Sequence, residues 1–185
     1  AHLPLIDFEG VGWTQADLAE FARAADELGY THLCANDHLL FTRPWLDGPT
    51  ALAATVDASG DMTLATTVSL PAVRGPAALA KTMGAIDVIS GGRVVVGVGP
   101  GSSARDYEAM GLDADERWRR LDESIGALRA LLHEGVTPHE GAFYSTAGVE
   151  LEPRSPQSPG PPIWVGSWGS GPGIRRVARL ADGWL

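Results

Sequence analysis

The segment from Ala65 to Gly101, ATTVSLPAVRGPAALAKTMGAIDVISGGRVVVGVGPG, constrains the fold more than any other part of this chain. It reads as strand, loop, helix, turn, strand and glycine loop. Leu64 to Val68 is rich in Thr and Val, as strands are. Pro76 then opens a helix in which Ala77, Leu79, Ala80, Met83, Ile86 and Ile89 recur at helical spacing, and Gly91-Gly92 ends it. Val94 to Val98 follows as a short apolar run of the kind that fills a strand buried on both faces. Two parallel strands joined by a helix make a βαβ unit. Ligands of such units bind at the carboxyl ends of the strands, where the SLPAVRG and GVGPG loops fall.

The same alternation runs along the rest of the chain. Leu3 to Phe8 reads as a first strand. Thr14 caps a helix to about Leu28, with Leu18, Phe21, Ala22, Ala25 and Leu28 on one face and Gly29 closing it. His32 to Ala35 is a strand ending in Asn36-Asp37-His38, and Pro49 to Ala58 a short helix. Asp113 to Glu116 resembles a capping box and leads a helix to about Leu132, with Trp118, Leu121, Ile125, Leu128 and Leu132 as its apolar face and Arg119 and Glu123 placed to pair. Residues 136 to 162 are proline-rich and read as an excursion on the surface, because the βα pattern resumes at Ile163 to Val165. A helix from about Gly173 to Leu180 follows, and Asp182 to Leu185 opens a further strand. Alternation of this kind gives either an open doubly wound sheet or a (β/α)8 barrel. Six strands would complete an open sheet, whereas a barrel needs eight strands and about 250 residues.

Composition narrows the function classes. A hydrophobic content of 44% with 20% charged residues fits a globular domain, and the net charge of −9 leaves no basic cluster to neutralise phosphates, which argues against a nucleic-acid partner. The one cysteine, Cys34, sits in an apolar run and reads as a packing thiol. No apolar stretch is long enough to cross a membrane and no signal peptide is visible, so a cytoplasmic location is expected.

Four groups of residues can carry chemistry. Asp37-His38 lies just past a strand end, where an imidazole can exchange a proton near neutral pH and an adjacent carboxylate can raise its basicity; an aspartate N-cap beside a surface histidine is the plain alternative. The other histidines have no ligand spacing relative to His38, so no metal site is expected. Gly97-Val-Gly99-Pro-Gly101 lacks the spacing of a dinucleotide fingerprint and reads either as a loop that a flat ligand approaches closely or as an ordinary tight turn. Ser167, Trp168, Gly169 and Ser170 precede a helix, so their hydroxyls and backbone N–H groups can hold an anion or simply cap the helix. Trp45 and Trp168 fall in loops at the same end, as a wall for a planar substrate or as rim packing.

These segments together resemble the luciferase-like flavin and deazaflavin oxidoreductases. The matching stretches are ARAADELGYTHLCANDHLLF, LATTVSLPAVRGPAALAKTMGAIDVISGGRVVVGVGPG, DYEAMG, ERWRRLDESIGALRALL and PPIWVGSWGS with RVARLADGWL, in family order over essentially the whole chain. The resemblance implies an α/β fold of the (β/α)8 TIM-barrel type, with residues 1–185 as a partial barrel domain of about five βα units. It implies His38 as the active-site histidine with Asp37 beside it. Thr67-Val68 matches a strand-end bulge with a non-prolyl cis peptide against the cofactor ring, Gly99 and Gly101 the loop beneath the ring, and Ser167 to Ser170 part of the cofactor phosphate site. Ser102 stands where some sugar-phosphate dehydrogenases of the family carry a catalytic glutamate, which argues against that subtype. The resemblance implies hydride transfer between an organic substrate and coenzyme F420, or alternatively an FMN-dependent monooxygenase using reduced flavin and oxygen, or a non-catalytic flavin-binding barrel. A small-molecule substrate and a homodimer at full length go with it. By itself, a five-strand piece with open edges is expected to aggregate or to form a molten species.

Overall fold

In the computed structural model, which describes Ala1 to Leu185, five short strands form one parallel sheet. They are β1 (His32–Ala35), β2 (Thr63–Thr66), β3 (Val94–Val98), β4 (Ile163–Val165) and β5 (Gly183–Trp184), and their spatial order is that of the sequence. A doubly wound sheet reverses its strand order at a switch point; this one never does. The register aligns Leu33 with Leu64 and Val94, and Val96 with Ile163. These residues pack with the helices in one core of 23 buried side chains, among them Leu18, Leu79, Met83, Leu121, Ile125 and Leu128. The helices therefore cover one face of the sheet. On the other face the rings of His32 in β1 and Trp164 in β4 lie 6.0 Å apart. Strands three places apart in a flat sheet stand about 14 Å apart. The sheet is thus curled, with its second face turned inward as the lumen of a barrel wall.

The helices are α1 (Gln15–Glu27), α2 (Gly48–Thr55), α3 (Pro71–Arg74), α4 (Pro76–Ser90), α5 (Ala104–Ala109), α6 (Arg117–Leu132) and α7 (Gly171–Leu180). Thr14 starts α1 with the full reciprocal cap, its hydroxyl accepting from Asp17 N–H while the Asp17 carboxylate accepts from Thr14 N–H. Gly91, at φ 72°, closes α4 in the left-handed conformation that glycine favours. The turn after α4 is tied to β3 by Asp87, whose side chain is fully buried. It accepts from Val94 N–H at 2.9 Å and from Gln157 Nε2 at 2.8 Å.

Several expectations are corrected. Leu3–Phe8 is not a strand: the parallel pairing with β1 lies at Ala1–Leu3, and residues 5–7 instead bond to Pro44 and Leu46. Leu28 and Ile89 are exposed at the ends of their helices, because Gly29 turns the chain away and because Asp87 and Ser90 hold the inner face of α4. Arg119 does not pair with Glu123. That carboxylate accepts from Phe143 N–H at 2.7 Å and holds the 136–162 excursion on the outside of α6, while Arg119 and Arg120 lie over the Phe143 ring. Two short helices, α3 and α5, stand where loops were read.

Candidate active site

All the singled-out loops meet at the carboxyl end of the sheet, since parallel strands send their following loops to one side. Val68 is the centre of the arrangement. The Thr67-Val68 peptide is cis, and Ser69 pairs across to Val98. A Cβ built on Gly99 would stand 2.5 Å from Val68 Cγ2, and one on Gly166 would stand 2.7 Å from Val68 Cγ1. Only bare backbone on both sides lets the Val68 side chain occupy this place. Next to it opens a cavity of about 510 Å³ lined by Val68, Gly101, Ser102, Arg117, Ser167 and Trp168, among others. Four residues singled out from the sequence, Val68, Gly101, Ser167 and Trp168, thus border one space.

The wall of this cavity that holds Ser167 and Trp168 belongs to the loop leading into α7. Ser170 caps α7, its Oγ accepting from Gly173 N–H at 3.3 Å. A Cβ on Gly173 would fall 2.3 Å from Ser167 Oγ and 2.4 Å from Trp168 O, so the serine loop closes over bare backbone at the helix start. Gly169 has open space around it, and Trp168 is 84% exposed. Thr67 points elsewhere, its Oγ1 3.5 Å from His2 Nε2. Cys34, in β1, is half-buried rather than buried, and burial pushes its thiol pKa up, with nearby Thr67 working the other way.

His38 is not part of that lining; it stands in an aromatic cluster next to α5, whose Tyr107 borders the cavity. The His38 ring centroid is 4.6 Å from Trp45 and 4.9 Å from Phe41. Trp45 is half-buried against the core, which is the rim packing that the sequence left open beside the ligand-wall reading. Asp37 does not serve the imidazole. Its carboxylate takes Arg74 Nε and Nη2 at 2.6 Å each and the Leu70 N–H at 3.3 Å, and Arg74 also binds Asp47, the cap of α2. This bidentate pair ties the end of β1 to α2 and α3. The carboxylate nearest the imidazole is Asp106 of α5, 3.6 Å from His38 Nδ1. Sequence reading missed Asp106, Phe41 and Arg74. A six-residue helix shows no periodicity, and the one signal was the DYEAMG match itself. No group of three or more His, Cys, Asp or Glu side chains converges on a metal site, and no helix is long and apolar enough to cross a membrane.

Comparison with known proteins places this geometry in a group. Residues 10–185 match the family model described as luciferase-like monooxygenase. A Microbacterium testaceum protein named F420-dependent glucose-6-phosphate dehydrogenase is 33% identical over 182 residues, covering 91% of this chain and 52% of that protein. A protein of the same name from Nakamurella multipartita is 34% identical, covering 92% and 51%. The chain spans about half the length of the curated relatives it matches. A monooxygenase from Streptomyces bottropensis superposes with a TM-score of 0.83 at 30% identity, covering 92% of this chain and 53% of that one. At 20% identity and a TM-score of 0.79, an F420-dependent secondary alcohol dehydrogenase shares the fold.

Proposed function

The chain belongs to the luciferase-like monooxygenase family, and we propose that it is part of an oxidoreductase that transfers hydride between an organic substrate and coenzyme F420. The observation that carries this reading is the Val68 floor, flanked by Gly99 and Gly166, beside a cavity whose wall includes Ser167 and Trp168 of the loop that leads into α7. The residues present fit such a cofactor. Val68 with its two glycines offers a surface for a flat ring, while the Ser167 and Ser170 hydroxyls and the Gly171 N–H, the one N–H of the first α7 turn that Pro172 and the Ser170 cap leave free, suit a phosphate. Arg117 adds a positive charge at the cavity wall. The names of the relatives from Microbacterium and Nakamurella support F420.

Bound deazaflavin supplies the two-electron hydride chemistry. The protein positions it and handles the proton. In the oxidative direction His38 takes the proton of a substrate hydroxyl as the hydride leaves the adjacent carbon; in the reductive direction it returns that proton to the carbonyl oxygen. Trp45 and Phe41 hold the imidazole and form the apolar side of the substrate space. Asp37, joined to Arg74, keeps the β1 end in place. Gly101 and Gly169 keep the loops on either side of the ring site open. Ser102 in place of an acidic residue favours a substrate other than a sugar phosphate. The same reading puts residues 1–185 within one barrel domain of a cytoplasmic, homodimeric protein that acts on a small molecule.

The resemblance in fold and sequence to the Streptomyces bottropensis monooxygenase favours one second reading, an FMN-dependent monooxygenase. One experiment separates the two. The protein is incubated with F420 and a panel of alcohols, with reduced F420 and the matching carbonyl compounds, and with reduced FMN and oxygen. Deazaflavin absorbance changing with a panel member is the expected result. Substrate oxygenation in the FMN arm alone moves the assignment to the monooxygenase.

A further inference from the structure

We propose that Asp106 is a positioning residue that fixes the His38 imidazole in the tautomer protonated on Nδ1, leaving Nε2 as the nitrogen that meets substrate. The inference rests on the reading of His38 as the proton-handling group. Its basis is a pair of buried atoms that lack partners. The Asp106 side chain is 1% exposed, and one of its oxygens, Oδ1, accepts from Leu40 N–H at 2.8 Å. The other, Oδ2, is buried with no hydrogen-bond partner, and so is His38 Nδ1. These two atoms face each other at 3.6 Å.

Buried polar atoms are almost always paired, and two orphans aimed at one another form a pair just beyond bonding length. Hydrogen bonds of this kind are often long in an unliganded enzyme and tighten once substrate binds. An ionised carboxylate can only accept, so the proton between them belongs to Nδ1. The ring cannot easily turn away, because Trp45 and Phe41 pack against it. Asp37, its neighbour in sequence, is unavailable because Arg74 occupies both of its oxygens. The Leu40 N–H fixes which oxygen of Asp106 faces the imidazole, and it comes from the loop that carries His38 itself. Helix α5 thereby reads the position of the His38 loop twice, once through its backbone and once through the ring.

The substitution Asp106→Asn separates positioning from scaffolding. The asparagine carbonyl oxygen keeps the Leu40 N–H, so its NH₂ group faces His38 Nδ1 and can only donate. The ring must then accept at Nδ1 and carry its proton on Nε2, the wrong tautomer for the same geometry. Nitrogen NMR of the histidine rings, in the protein without cofactor and at about pH 8, above the ordinary imidazole pKa of about 6.5, reads the tautomer directly. The expected result is a protonated Nδ1 in the wild type and a protonated Nε2 in D106N. With any compound that turns over, kcat falls by about 10²–10⁴-fold while KM and cofactor affinity hold. A wild-type ring protonated on Nε2, or a tautomer indifferent to the substitution, overturns the proposal. The wild-type spectrum alone decides the first of these even if D106N does not fold. A tautomer that switches in a protein binding neither F420 nor FMN would instead sustain the pair and defeat the cofactor reading.

Discussion

Replacing Arg74 with methionine should destabilise the protein by about 3 kcal/mol, and the reason lies in the carboxylate left behind. Asp37 has a side chain only 1% exposed, and Arg74 supplies two of its three hydrogen bonds together with its counter-charge. Removing one partner of a buried pair costs about 3–5 kcal/mol, because the remaining charge stays in the interior without compensation. The lower end applies here. The Arg74 side chain is 25% exposed, so water can reach part of the vacated space, and Leu70 N–H still bonds Asp37. The link to Asp47 adds little, since that carboxylate is 42% exposed and exposed pairs are worth about 0–1 kcal/mol. Equilibrium urea unfolding of the full-length protein, as wild type, R74M, D37N and R74M/D37N, measures the terms. The double variant should be more stable than R74M alone, since the asparagine carries no charge to bury. A cost below about 1 kcal/mol for R74M, or a double variant no better than R74M, would refute the assignment of Asp37 as a buried anchor.

Two further outcomes follow from the same geometry. Burial lowers the His133 pKa, although the Pro161 carbonyl at 2.9 Å works the other way, so the unfolded chain binds this proton more readily than the folded one. Stability from this group is therefore present above the unfolded value of about 6.5 and is lost as pH falls through the folded value; the urea midpoint should drop between about pH 7 and pH 5, and His133→Gln should flatten that drop. His38→Ala should lower kcat by about 10²–10⁴-fold with any compound that turns over, in steady-state assays, while the dissociation constant of the cofactor changes little; an unchanged kcat would remove His38 from the chemistry.

The barrel wall was legible in the sequence where a segment was long and periodic or short and wholly apolar. β1 and β3 fall on the expected residues, and α4 begins and ends at its proline and glycine. Periodicity left barrel and open sheet unresolved, and strand order and curvature separate them, both of which depend on contacts between distant segments. The glycines that flank Val68 were legible as loop residues, but their reason was not. Gly99 and Gly166 are 67 positions apart, yet they flank the same valine. The acid beside His38 was misread for the same reason. Adjacency in sequence pointed to Asp37, whereas successive side chains at a strand end diverge, and the carboxylate that reaches the imidazole comes from a helix 66 residues beyond Leu40, its backbone partner.

The most direct test of the account is an equilibrium fluorescence titration of the full-length protein with F420 and, separately, with FMN. A deazaflavin bound over Val68 with its phosphate at Ser167 and Ser170 should give saturable binding, tighter for F420 than for FMN. Gly99→Ala, whose new methyl would stand 2.5 Å from Val68 Cγ2, should weaken it. Tighter binding of FMN would contradict the choice of cofactor, and absence of binding to either would contradict the site.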